Sequence, residues 1–363
     1  MLKIKREKMI MSLRKTFLTV LLILQAMLIG ACKTASTEPV TSPPPPAGRR
    51  DYTWSVDTLN KYAPENTFSV LYGKDPSDIW CMGSGFTSLL YLKYDGVSCS
   101  VRKNLTETFT PWSAMSYSEN EFWLGGTQSS IWSIKNGVSE KKAQFSVEGY
   151  GETVIESMWS DGPEEVYAAG CVYSTGRSYI YATLYRYDGK MWERLIKPDM
   201  QLVFPRMKRG IKDSKNMYII GTTSEGNPDS IGIFEYDGKT LKKIYYDIMT
   251  LENGPGMFVI DGHIYFAFRE KIYKYINNQF VVVKNLSGNN IRHLAQISGR
   301  SENDLFFDLN GGIGHYNGTD VKQIYGYANS TRILASLLLE KDCYFITYDS
   351  YTKLFLLIHG KLK

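Results

Sequence analysis

Histidine and cysteine are scarce in this chain, with four His and five Cys among 363 residues. His263, His293, His315 and His359 are dispersed, and no two stand at metal-ligand spacing. No Cys-x-x-Cys occurs, so neither a zinc site nor a thiol redox site is indicated. A Gly-x-Ser-x-Gly elbow and a phosphate loop are also lacking, which removes the usual signs of hydrolase and nucleotide chemistry. Gly83-Ser84-Gly85 and Gly149-Tyr150-Gly151 stand outside any strand-to-helix context and read as loop glycines. We therefore expect no catalytic set, no metal and no cofactor. Long apolar runs are lacking as well. The longest, Phe17 to Ile29, is too short to span a bilayer as a helix but long enough for a signal-peptide core.

The charge is deceptive. The formal net charge is +5, and the leader that holds Lys3, Lys5, Arg6, Lys8, Arg14, Lys15 and one acid, Glu7, accounts for all of it. Without that leader the chain is neutral, so no basic field remains for nucleic acid. The apolar run ends at Ile29-Gly30-Ala31-Cys32, which resembles the bacterial lipoprotein signal: an aliphatic residue, two small residues, then Cys. The resemblance implies cleavage after residue 31, lipidation of Cys32, and a bacterial envelope protein anchored in a membrane, the outer one by expectation. Residues 32–50 follow as a tether rich in Ser, Thr and Pro, centred on Pro43-Pro44-Pro45-Pro46. Extended, its eighteen residues after Cys32 reach about 56 Å.

From residue 51 to 363 a phrase recurs: an aromatic strand, a gap, a second aromatic strand and a tight turn. Clear copies are Asp78-Ile79-Trp80 with Tyr94-Asp95-Gly96, and Glu165-Val166-Tyr167 with Tyr187-Asp188-Gly189. Asn216-Met217-Tyr218 with Tyr236-Asp237-Gly238, and Asp304-Leu305-Phe306 with Tyr316-Asn317-Gly318, are two more. Weaker copies put the turn at Asn136-Gly137, Asn277-Asn278 and His359-Gly360. The turns recur every 40 to 52 residues. Such a period filled with short strands predicts an all-β, seven-bladed β-propeller. The turn chemistry suggests two-residue type I′ hairpins between third and fourth strands. The aromatics Trp80, Trp123, Tyr167, Tyr218, Tyr265, Phe306 and Tyr344 are expected between blades, since one blade cannot bury its own faces. First strands near 68–72, 112–116, 154–159, 206–211, 257–260, 292–298 and 333–339 would line the channel.

The last unit lacks a fourth strand, whereas Tyr52-Thr53-Trp54-Ser55-Val56 precedes the first unit as an orphan. Pairing the two closes the ring and removes two edges. The repeat is similar to Asp-aromatic…Tyr-Asp-Gly propeller units of bacterial secreted and lipid-anchored proteins, a resemblance of scaffold that covers nearly all of 51–363. Of Cys81, Cys99, Cys171 and Cys343, Cys81 and Cys343 fall on or beside second strands and read as buried small residues, while Cys81 with Cys99 is the one pair in a single blade where a disulfide is open.

Function then falls to loops between second and third strands, which share one face. The longest runs from Cys171 to Tyr181, its neighbour from Thr222 to Asp229, and a third holds Tyr348-Asp349-Ser350-Tyr351. Tyr173, Arg177, Glu225, Asp229, Tyr348 and Tyr351 are the candidate ligand-binding residues, because amphipathic rings give contact area at low entropic cost. Three classes compete. A non-enzymatic envelope module that recognises a glycan, peptide or protein comes first, as a monomeric domain. A scaffold subunit comes second, resembling in outline the propeller lipoproteins of outer-membrane assembly complexes. A polysaccharide lyase or hydrolase comes third.

Overall fold

The computed structural model describes residues 47–62, 67–84, 89–105, 109–118, 121–136, 138–209, 215–223, 230–248 and 255–363. Cys32, Glu225 and Asp229 lie outside them, as do the signal segment and most of the tether.

Seven antiparallel sheets of four strands form the blades. Blade I comprises Thr67–Asp75, Asp78–Ser84, Leu89–Tyr94 and Cys99–Leu105 in chain order. Blades II to VI repeat that order, with first strands Pro111–Ser118, Tyr150–Gly162, Leu202–Lys208, Gly256–Ile260 and Ile291–Ser301. Blade VII holds Thr331–Leu338, Asp342–Asp349 and Leu354–Leu362, and takes Tyr52–Thr58 as its outer strand. The register runs without a slip from Tyr52 opposite Leu362 to Thr58 opposite Leu356. The first and last described strands therefore complete one sheet, and the ring closes as expected.

One turn assignment is corrected. His359 and Gly360 lie inside the third strand of blade VII, opposite Ser55 and Trp54. Because the fourth strand comes from the far end of the chain, no third-to-fourth turn is needed there. The Asp-Gly turns are also built differently from a two-residue type I′ hairpin. Asp95 N–H donates to the Ser98 carbonyl, spanning four residues, and the Asp95 carboxylate accepts from the amides of Val97 and Ser98. Asp188, Asp237 and Asn317 repeat this arrangement. Only the glycine takes positive φ, 96°, 87°, 94° and 97° at Gly96, Gly189, Gly238 and Gly318. The tyrosine of the signature closes the motif: Tyr94, Tyr187 and Tyr316 donate their hydroxyls to the carbonyls of those glycines, two residues on. Asn277-Asn278 is a true type I′ turn, with φ of 50° and 63°.

The core is divided among the blade junctions. Seven apolar clusters among the described residues each span two neighbouring blades. The second-strand aromatics are the bolts. Trp80 meets Phe122 at 5.4 Å, Trp123 meets Tyr187 at 6.0 Å, and Tyr167 meets Tyr236 at 6.5 Å between ring centres. Tyr218 meets Phe266 at 5.4 Å, and Tyr265 donates to Glu302 of the next blade at 2.6 Å. Phe306 meets Phe345 at 5.8 Å, and Tyr344 meets Tyr94 of blade I at 6.1 Å.

Beside these rings lies a second repeat. The acid that begins a second strand pairs with a base near the end of the third: Asp78 with Lys93, Glu121 with Lys135 and Glu165 with Arg186. In blades VI and VII the base is histidine, with His315 at 2.7 Å from Asp304 and His359 at 2.6 Å from Asp342. Both histidines are buried structural groups.

Candidate binding site at the channel mouth

The first strands enclose a central channel of about 490 Å³, lined by residues from all seven blades. Its shape depends on bulges. In blades I, II, III and VII the first strand carries an extra residue, respectively Ser69, Trp112, Glu156 and Leu334, and all four line the channel. A bulged residue leaves the pairing ladder, which re-aims its side chain.

Glycine on the second strand makes room for the bulge. A Cβ on Gly170 would fall 1.9 Å from the Val154 carbonyl oxygen and 2.9 Å from the Glu156 amide nitrogen. At Gly83 and Gly126 the corresponding distances to the carbonyl oxygens of Thr67 and Thr110 are 1.8 and 1.9 Å. The sequence thus sets a backbone shape, and that shape places Glu156 in the lumen.

Charge in the channel comes from blades III and IV. Burial pushes the Glu156 carboxyl up to about 7 and lowers Arg206 to about 10. Burial likewise lowers Lys208, with Arg206 beside it adding to the effect. Lys208 is nevertheless exposed to solvent as a residue, which tempers that push. Arg206 spends one N–H on the Pro255 carbonyl at 3.3 Å. Trp112 also lines the channel and is 47% exposed.

Glu156 yields a pH-dependent expectation. Its folded pKa lies above the ordinary 4.5, so the unfolded chain releases this proton first as pH rises. Stability is then lost between about pH 4.5 and 7, and the whole cost is present above that window. Glu156→Gln should raise the melting temperature at pH 8 by a few degrees, on the order of 1–3 kcal/mol, and change it little at pH 4. Thermal unfolding at the two pH values checks this.

The residues selected from the sequence fall partly into place. Tyr173 ends the second strand of blade III, and Arg177 follows in the hairpin with φ of 54°. The Arg177 guanidinium lies 5.7 Å over the Tyr173 ring and 2.9 Å from a Glu152 oxygen. Burial raises the Tyr173 phenol above its ordinary pKa, with Cys171, Glu156 and Glu152 adding to the rise and Arg177 opposing it. Tyr348 packs on Phe355 at 4.7 Å and is partly buried, whereas Tyr351 is 87% exposed. Both belong to the second-to-third hairpin of blade VII, on the same face as Tyr173 and Arg177. Sequence reasoning missed Glu156, Arg206 and Lys208. The signal was present: three charges on strands expected to line a channel. The four cysteines Cys81, Cys99, Cys171 and Cys343 are free thiols and buried.

No family model matches this chain, and no curated protein matches it. Solved structures do. YCF48 bound to a D1 peptide superposes with a TM-score of 0.59 at 14% identity, covering 87% of this chain and 99% of that one. Catalytically inactive virginiamycin B lyase from Staphylococcus aureus with quinupristin gives 0.56 at 13%, covering 84% and 99%. The Neurospora crassa Pan2 WD40 domain gives 0.56 at 11%, covering 88% and 98%. The chain is a seven-bladed β-propeller. At these identities the likeness carries the fold alone.

Proposed function

We propose that this chain is an envelope-anchored binding module, non-enzymatic, which holds its ligand at the hairpin-face mouth of the channel. One observation carries the reading: an exposed indole (Trp112) and charged groups (Glu156, Arg206, Lys208) without an ion-pair partner among the described residues line one open channel. Stable folds seldom leave rings and charges together at a concave opening without a partner for them. The similar propellers include YCF48 bound to a D1 peptide and a lyase with quinupristin, which supports the use of such a scaffold for binding. A glycan array together with affinity capture from solubilised envelope tests the reading. Tyr173→Ala and Arg177→Ala should each weaken capture at an unchanged melting temperature.

The anchor belongs to the same proposal, resting on Ile29-Gly30-Ala31-Cys32 after the apolar run. Cys32→Ser should give an unprocessed or soluble precursor without palmitate label. Unchanged labelling of that variant would remove the anchor from the account.

A second reading, a polysaccharide lyase or hydrolase, draws on Glu156, whose pKa of about 7 suits general acid–base work. Turnover of uronic-acid polymers by the full chain, lost in Glu156→Gln, would establish it.

A further inference from the structure

The channel holds more than one kind of recognition group, and their combination narrows the ligand. Arg206 and Lys208 are two residues apart on one strand, so both project to the same side, roughly 7 Å apart along it. Among the described residues no carboxylate pairs with either of them, and Arg206 carries N–H donors beyond the one on Pro255. Two cations facing one lumen without a counter-ion repel each other, and a bound anion relieves that repulsion. A guanidinium matches a carboxylate through two parallel hydrogen bonds.

The rest of the lining is not that of a simple ion trap. Ser336, Gln296 and Glu156, which carry a hydroxyl, an amide and a carboxyl, line the same cavity. Trp112, nearly half exposed, adds an indole to the lining. Hydroxyl, amide and carboxyl groups suit a ligand with many hydroxyls, and an exposed indole suits the apolar C–H face of a pyranose ring. The channel volume of about 490 Å³ is in the range of sites for small molecules.

We propose that the channel binds a sugar acid, a pyranose with one carboxylate, its carboxylate on Arg206 and Lys208, its hydroxyls on Glu156 and Gln296, and its ring against Trp112. The assignment rests on the binding-module reading and names the ligand class for the same site. Two basic residues, Arg206 and Lys208, stand against the single acid Glu156 in the lining, an excess that favours an anion.

Calorimetric titration of the full chain with glucuronate and with its uncharged methyl ester is the test, since the two differ at the carboxylate alone. Glucuronate should bind about tenfold or more tightly than the ester, the effect of one charge-assisted hydrogen-bonded pair. Arg206→Gln should remove that preference, and Trp112→Ala should weaken both ligands alike. Should Arg206→Gln fold poorly, Lys208→Met should reduce the preference in its place. Equal affinity for acid and ester, an unchanged preference in a well-folded Arg206→Gln, or no binding of glucuronate would each overturn the assignment. Photo-crosslinking from Tyr351 separates the two failures. If glucuronate does not bind but the rim still crosslinks a partner, the sugar-acid assignment falls alone; if the rim is silent too, the binding-module reading falls with it.

Discussion

Removal of residues 51–58 should leave a chain that no longer unfolds cooperatively, or that melts roughly 10 °C or more below the intact protein. The segment is the outer strand of blade VII, and its loss strips partners from three neighbours. Tyr52 is buried against Phe306 at 6.1 Å between ring centres, with its hydroxyl on Arg300. Trp54 lies 5.0 Å from the Tyr325 ring, and a Cβ on Gly360 would meet its indole at 2.5 Å. Asp57 is buried and accepts from the Cys99 amide of blade I and the Tyr62 hydroxyl. One strand thus ties blade VII to blades VI and I. Without it the third strand of blade VII becomes an open edge, a template for association as well as a loss of stability. Circular dichroism during heating, with light scattering to detect association, reads both effects. An unchanged melting temperature would contradict the closure.

Phe306→Ala should be the most damaging single substitution among the junction aromatics. The ring is fully buried where blades VI and VII and the N-terminal strand meet. It touches Tyr52, Phe345 and His315, at 6.1, 5.8 and 4.7 Å between ring centres, and lies under the Arg300 guanidinium at 5.3 Å. These neighbours belong to different strands and cannot all collapse into the space vacated. A cost of about 3–5 kcal/mol is expected, a fall of roughly 6–15 °C in melting temperature. Val97→Ala, on a ring-remote turn residue that is 85% exposed, should stay within about 0.5 kcal/mol of the parent. Chemical denaturation of the three proteins measures both values. A loss below about 1 kcal/mol for Phe306→Ala would mean that the junctions do not hold the ring in this way.

The architecture was legible because the repeat encodes it locally. Each Tyr-Asp-Gly writes its own turn, and each second-strand aromatic must be covered by a neighbour, so period and composition led directly to seven blades. The first strands were located within a few residues for the same reason. His359-Gly360 was misread because a polar residue followed by glycine looks like a turn, whereas its setting is fixed by Trp54, about 300 residues away. The turn geometry was misread because the Asp-Gly dipeptide fits several turns, and the choice is made by the carboxylate, which caps two amides, and by the tyrosine hydroxyl. The site was only half legible. Tyr173 and Arg177 could be chosen as an insertion, but Glu156 looks like one polar residue in an alternating strand until the Gly170 bulge turns it into the lumen. Arg206 and Lys208 acquire meaning only when the ring brings their strand beside six others.

The central claim is that one face of the ring, the face of the second-to-third hairpins, does the binding. Site-specific photo-crosslinking in cells tests it most directly, with a photoreactive residue in place of Tyr351 on that face and, separately, in place of Lys190 in a turn on the opposite face. Both positions are exposed, so reagent access is comparable. The account predicts a discrete adduct from position 351, abolished by Arg177→Ala, and none from position 190. Adducts from position 190 alone, or equally from both, would contradict it.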